Sequence, residues 1–197
     1  MRLGILGGTF DPPHVGHVIG AADAVEALRL DRLIVVPAGT QPLKAGRQTA
    51  SAADRLAMAR LAFDGTPPFS VDPIEMERTG LSYSVDTLET LAGRHPGAEL
   101  FFVTGADVVR TFEQWRDPER ILRLARLVVL ERGGSEGGGG DEAGRRALEA
   151  RGALFPSGRR VDVSSTEVRR RVRAGKSIRG FVPDAVAAYI ERAGLYR

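Results

Sequence analysis

The chain has no cysteine among its 197 residues. That excludes disulfides and thiolate zinc centres, and it fits a reducing, cytoplasmic compartment. Histidine is nearly as scarce: only His14, His17 and His95 occur. No apolar run approaches the roughly 18 residues that a membrane-spanning helix needs. The first residues also lack the basic-then-apolar pattern of a secretory leader. Strong charge of one sign is missing too. The net charge of +3 suits anionic small molecules and is too small to support a nucleic-acid partner. What remains, at 43% hydrophobic and 27% charged residues, is the composition of one globular domain over residues 1–197.

Short apolar runs alternate with helical patterns along the chain. Residues 3–6 read as a buried strand. Residues 18–30 carry apolar side chains at helical spacing, and the chain turns into this helix near Gly16. Residues 33–36 are a second strand, closed by Pro37. Together they predict a β-α-β unit with parallel strands and a right-handed crossover. A polar loop over 38–48 leads to a helix that starts at Ser51, with Asp54 completing a cap, and runs to about Phe63. A short strand over 69–72 precedes an irregular polar stretch and a helix over 85–91, with Ser84 as its cap. The strand over 99–104 ends in Gly105-Ala106-Asp107. Helices are predicted over 108–115 and 118–124, and a strand over 126–130. Residues 133–144 are glycine-rich and carry no large apolar residue. They cannot offset their ordering entropy and read as a mobile insertion. A helix over 145–150 and extended segments over 153–155 and 160–163 follow. Residues 164–167 then open a helix over 168–174, and Pro183 starts the last one. This alternation predicts a doubly wound, mostly parallel α/β sheet of Rossmann-like type, whose ligands sit at the carboxyl ends of strands.

Two stretches could carry chemistry. Gly7-Gly8-Thr9-Phe10-Asp11-Pro12-Pro13-His14-Val15-Gly16-His17 is a strand-to-helix loop. Its glycines let backbone approach a phosphate closely. His14 and His17 stand one helical turn apart and can face one ligand. Such a pair can donate to phosphate oxygens and stabilise charge in a pentacoordinate transition state. As metal ligands they lack a third partner nearby. His95, before Pro96, reads as exposed. The second stretch is Ser164-Ser165-Thr166-Glu167-Val168-Arg169. Ser-x-x-Glu alone marks a helix start. With its hydroxyls, free N–H groups and Arg169, the same stretch is also an anion site. The other arginines at 170, 171 and 173 read as a solvated helix face. Trp115, the sole tryptophan, is either a core anchor or a stacking surface, and Asp107 is either a ribose acceptor or a helix cap.

Together these stretches carry a resemblance. Residues 7–17 look like the (H/T)xGH signature of the nucleotidyltransferase superfamily. Val-Ser-Ser-Thr-Glu-Val-Arg, residues 163–169, resembles its second signature, usually written ISSTxIR. Within that superfamily the chain closely resembles the bacterial nicotinate-nucleotide adenylyltransferase family over nearly its whole length. Residues 82–88, residues 102–107, Trp115 and the segment Gly194-Leu195-Tyr196-Arg197 share in the likeness.

The resemblance implies adenylyl transfer from ATP to nicotinate mononucleotide. The mononucleotide phosphate attacks directly, without a protein nucleophile, and pyrophosphate leaves. It implies His14, His17 and Arg169 as catalytic residues, with Gly8, Thr9, Phe10, Arg132, Ser165 and Thr166 as further ATP contacts. On the mononucleotide side it implies Lys44 at the phosphate, Gly105 and Asp107 at the ribose, and Ser84 and Thr87 framing the nicotinate ring. Trp115 would stack on that ring, and the backbone at Arg116 would lie near its carboxylate. Mg2+ would arrive with ATP, held by phosphate oxygens and water, with no residue of the chain as a metal ligand. Two positions depart from the family pattern. Leu43 stands where many members have histidine, and Arg132-Gly133-Gly134 replaces Arg-Pro-Gly. The expected partners are ATP and the mononucleotide, with no nucleic acid and no membrane. The two C-terminal helices can pack internally or across a homo-oligomer. The rivals are phosphopantetheine adenylyltransferase, another mononucleotide adenylyltransferase, and a nucleotide-binding regulator without catalysis.

Overall fold

The apolar runs within 3–6, 33–36, 99–104 and 126–130 become strands because they are covered on both faces. In the computed structural model, β1 (Arg2–Gly8), β2 (Arg32–Pro37), β3 (Phe69–Val71), β4 (Glu99–Gly105) and β5 (Arg126–Leu130) form one sheet in the order β3-β2-β1-β4-β5. Every pairing is parallel, and Ile5 lies opposite both Ile34 and Phe102. The structure describes residues 1–40, 49–130 and 141–197. Lys44, Arg132 and residues 133–140 of the glycine-rich stretch lie outside the described residues.

Helices cover the sheet on two sides. On one face, α1 (Val15–Leu28) and α2 (Ala52–Phe63) pack Ala21, Ala24 and Phe63 against Leu6, Leu33, Val35, Phe101 and Val103. On the other, α3 (Ser84–Arg94), the short α4 (Val108–Thr111) and α5 (Pro118–Leu124) set Leu88, Leu91, Val108 and Ile121 against Ile5, Ile34, Phe102 and Val129. Each such leucine, isoleucine, valine or phenylalanine side chain, fully buried, contributes about 1.5–3 kcal/mol. After β5 come α6 (Glu142–Ala150), α7 (Ser165–Arg173) and α8 (Asp184–Ala193). A third cluster joins α2, α7 and α8 through Met58, Val168, Val186, Ile190 and Tyr196. It carries the second signature to the side of the sheet where the opening loop emerges.

From β1 the chain proceeds to β2 and β3, then crosses back to β4 and β5 on the far side of β1. The strand order therefore reverses between β1 and β4. In open sheets of this kind the ligand crevice lies at the carboxyl ends of those two strands. Here those ends are Gly7-Gly8 and Thr104-Gly105.

Several boundaries differ from the sequence reading. Helix α1 opens at Val15, because His14 caps it in extended backbone (φ −136°). Ser84 is the first helical residue of α3, and Tyr83 is the cap. The helix expected over 108–115 breaks into α4 and a 3-10 turn, Phe112–Gln114, which leaves Trp115 extended. Helix α6 begins at Glu142, inside the stretch read as insertion, because the Asp141 carboxylate accepts from Gly144 N–H at 2.8 Å. Residues 160–163 join no strand, whereas Leu154 makes a single bridge to Val128. His95 is half-buried at the end of α3. Among the described residues no helix is long and apolar enough to cross a membrane.

Candidate active site

The opening loop is built around its two histidines. His14 is buried at the N-cap of α1, and His17 sits three residues on, in the first turn. The backbone N–H of His14 donates to His17 Nδ1 at 3.1 Å. With Nδ1 accepting, a neutral His17 ring carries its proton on Nε2. The rings stack with centroids 3.8 Å apart. Phe10 supports them edge-on, 5.1 Å from the His17 ring. Phe10 itself is in the left-handed region (φ 51°) and buried against Phe63. Gly8 is required here, since a Cβ would lie 2.8 Å from the Phe10 ring.

The second signature docks on this loop. Ser164 caps α7 through Glu167 N–H, as the Ser-x-x-Glu pattern predicts. Ser165 Oγ donates to Pro12 O at 2.8 Å. Arg169 Nη1 donates to Asp11 O at 2.6 Å, and its Nη2 reaches Thr166 Oγ1 at 3.3 Å. Two segments some 150 residues apart are thereby joined by side-chain-to-backbone bonds. The N-termini of α1 and α7, both positive dipole ends, are held next to each other.

Two cavities meet at the switch point. The larger, of ≈ 740 Å³, lies between the opening loop and α7 and includes His14, His17, Ser165, Thr166 and Arg169. The smaller, of ≈ 340 Å³, lies towards α3 and includes Ser84, Thr87, Trp115 and Arg116. Gly7, Gly8, Thr9, Thr104, Gly105 and Asp107 line both. All fourteen sequence-predicted residues that are described line one cavity or both. The larger cavity presents the cationic and hydroxyl donors that a polyphosphate needs.

The smaller cavity has an apolar and a polar wall. Trp115 is half-buried, edge-on to Phe102 at 5.9 Å, with its Nε1–H 3.4 Å from Thr111 Oγ1. It is thus packed on the core and open to the cavity at once. The Arg116 guanidinium lies 4.7 Å over the Tyr83 ring. On the polar wall, Thr87 Oγ1 donates to the buried Glu75 carboxylate at 2.9 Å and accepts from Arg78 Nη1 at 3.0 Å. The Thr87 hydroxyl is committed to that wall, so its methyl group and position shape the cavity.

Burial pushes the Glu75 carboxyl above its ordinary range, against the lowering effect of the Thr87 bond and of Arg78. The folded state therefore keeps this proton longer than the unfolded chain does. Glu75 favours folding below an unfolded pKa of about 4.5, and that contribution is lost as pH rises through its raised value. Glu75→Gln removes the titration. The Tm of the variant minus that of the parent is expected to increase from about pH 4 to pH 7. A difference that stays flat across that range contradicts the assignment.

Sequence reasoning missed three buried groups that hold this architecture. The Asp11 carboxylate, 3% exposed, accepts from Thr49 N–H at 2.8 Å, Thr49 Oγ1 at 3.0 Å, Ala50 N–H at 3.2 Å and Tyr196 Oη at 2.7 Å. Arg55, also 3% exposed, donates to Thr9 O at 3.0 Å, Ala38 O at 2.6 Å and Gly39 O at 3.4 Å. It ties together the carboxyl ends of β1 and β2. Glu75 is the third. Each partner set is distant in sequence, so no local spacing points to it. The one local signal was a charged residue at a core position of an apolar helix pattern, as with Arg55 beside Met58 and Ala59. Arg55→Met would leave buried carbonyls unsatisfied and is expected to cost about 3 kcal/mol of stability in urea unfolding. A loss well under about 1 kcal/mol would mean that these bonds are replaced by water.

Among the described residues no cluster of three or more histidine, aspartate or glutamate side chains could hold a metal ion.

The chain is similar to known proteins over its whole length. The cytidylyltransferase-like family profile matches residues 5–171. A probable nicotinate-nucleotide adenylyltransferase of Gemmatimonas aurantiaca is 53% identical, over all of this chain and 93% of that protein. Its counterpart of the same name in Thermus thermophilus is 43% identical over the full length of both. Among solved structures, a Plasmodium falciparum nicotinic acid mononucleotide adenylyltransferase complexed with NaAD superposes with a TM-score of 0.77 at 18% identity, covering 99% of this chain and 97% of that one. That last likeness shows the fold, and the full-length identities show the closer kinship. The chain belongs to the nicotinate-nucleotide adenylyltransferase family, within the cytidylyltransferase-like group.

Proposed function

We propose that the two cavities hold the two substrates of one transfer, ATP beside α7 and nicotinate mononucleotide beside α3. The activity is that of the family: adenylyl transfer from ATP to nicotinate mononucleotide, giving the dinucleotide and pyrophosphate. The observation that carries the assignment of sites is the shared wall, Gly7-Gly8-Thr9 with Thr104, Gly105 and Asp107, where the cavities join. An attacking phosphate on one side and an α-phosphate on the other can meet only there.

In this reading His14 and His17 donate to the phosphate oxygens on which charge builds. Arg169, Ser165 and Thr166 hold the triphosphate from α7, and Gly8, Thr9 and Phe10 shape the floor. Asp107 and Gly105 hold ribose, Trp115 stacks on the pyridine ring, and the backbone at Arg116 meets its carboxylate. Ser84 and Thr87 set the width of the ring slot. Lys44 and Arg132 are assigned to the two phosphate groups on the family resemblance alone. Magnesium fits as an ion carried by ATP, because most of the polar side chains lining the larger cavity are anion donors. It would neutralise phosphate charge as the pyrophosphate leaves. The compartment that suits a cysteine-free, ATP-dependent biosynthetic enzyme is the cytoplasm.

Pyrophosphate release with ATP and a panel of acceptors tests this directly. Nicotinate mononucleotide is expected to give the highest kcat/KM, above nicotinamide mononucleotide by about tenfold or more. No turnover on either mononucleotide, or faster turnover on phosphopantetheine, would overturn the reading.

A further inference from the structure

We propose that Tyr196 is a positioning residue for the ATP side of the reaction. It lies beyond α8, outside both cavities, yet its hydroxyl is buried and donates to Asp11 Oδ1 at 2.7 Å. Asp11 is the residue whose carbonyl receives Arg169 at 2.6 Å, and the next carbonyl, that of Pro12, receives Ser165 at 2.8 Å. One hydroxyl therefore fixes the carboxylate of the peptide on which the triphosphate-binding side chains are seated.

Two further observations single Tyr196 out from ordinary packing. Its backbone is in the left-handed region (φ 64°), which a non-glycine residue adopts only when its surroundings impose it. Among the described residues, its hydroxyl is also the one donor to the Asp11 carboxylate that comes from outside residues 49–50. Those two residues, at the foot of α2, reach both oxygens: Thr49 holds Oδ2, and Ala50 N–H reaches Oδ1 at 3.2 Å. Tyr196 adds the shorter bond to Oδ1, at 2.7 Å, from the segment that also packs against α7. Without it Oδ1 keeps only the long Ala50 bond, so the carboxylate is held less firmly, and the Asp11 and Pro12 carbonyls would shift with it. Arg169 would follow.

The inference rests on the placement of ATP beside α7. Tyr196→Phe removes the hydroxyl and keeps the ring. It is compared with Val186→Ala, which loosens the same apolar cluster without touching Asp11. Tyr196→Phe is expected to weaken ATP binding, measured calorimetrically, about tenfold, and to lower kcat by a similar factor. The KM for the mononucleotide should stay within about twofold, since the smaller cavity makes no contact with Tyr196. Val186→Ala, brought to the same loss in Tm, should change neither ATP affinity nor either KM. In an Asp11→Ala background, Tyr196→Phe should add less than about twofold, because both substitutions break one linkage. If Tyr196→Phe behaves like Val186→Ala, the inference is wrong and the residue is only packing. If instead the parent chain does not bind ATP at all, it is the placement of ATP that fails.

Discussion

Replacing Arg169 with methionine is expected to lower kcat/KM for ATP about a thousandfold, with little loss of stability. The guanidinium is half-buried at the mouth of α7. It already donates to Asp11 O and Thr166 Oγ1, and these bonds orient its remaining donors. A preoriented arginine facing a transferring phosphoryl group is worth on the order of a thousandfold or more. Methionine keeps the aliphatic packing and removes every donor. Arg169→Lys should recover only a small part, because one ammonium cannot hold the Asp11 carbonyl and reach phosphate oxygens together. Steady-state kinetics in ATP at saturating mononucleotide measures both variants. A fall of less than about tenfold for methionine would mean that α7 contributes its backbone and hydroxyls, and not this charge.

Replacing His17 with alanine is expected to cut turnover by about a hundredfold or more. The bond from His14 N–H to His17 Nδ1 fixes both the ring plane and the side that carries the proton. The donor is therefore set before substrate arrives, and reorganisation at the moment of transfer is small. The same bond belongs to a reciprocal cap at the start of α1, so the variant also loses about 1 kcal/mol of stability. Turnover must accordingly be compared at equal folded fraction, checked by circular dichroism at the assay temperature. An unchanged kcat in that variant would remove His17 from the mechanism.

Strands β1, β2, β4 and β5 were legible in the sequence because their middles are buried on both faces, and an uninterrupted apolar run is what such burial requires. Residues 33–36 and 99–104 are the clearest cases, and both are strands of the sheet. The histidine pair was legible for a local reason, since three residues is one helical turn and the helix does begin there. The meeting of residues 7–17 with residues 164–169 was not readable from spacing. It came from the family resemblance, and the bonds of Ser165 and Arg169 to the opening loop supply its physical form. Asp11 lay inside the quoted signature and still passed unnoticed. Its role depends on Thr49, Ala50 and Tyr196, which the chain brings together only on folding. Arg55 was hidden for the same reason. Boundaries failed where a side chain, not a periodicity, sets the end of a helix. Asp141, whose carboxylate caps α6, is such an end.

The central claim is that two bound nucleotides react with each other across the shared wall, with no covalent stage on the protein. The stereochemical course at the α-phosphorus tests it most directly. The reaction is run with one diastereomer of ATP carrying sulfur and an oxygen isotope at the α position, and the configuration of the dinucleotide product is determined. A single in-line displacement gives inversion. Retention would mean two displacements through an adenylylated side chain and would contradict the account, whatever the identity of the acceptor.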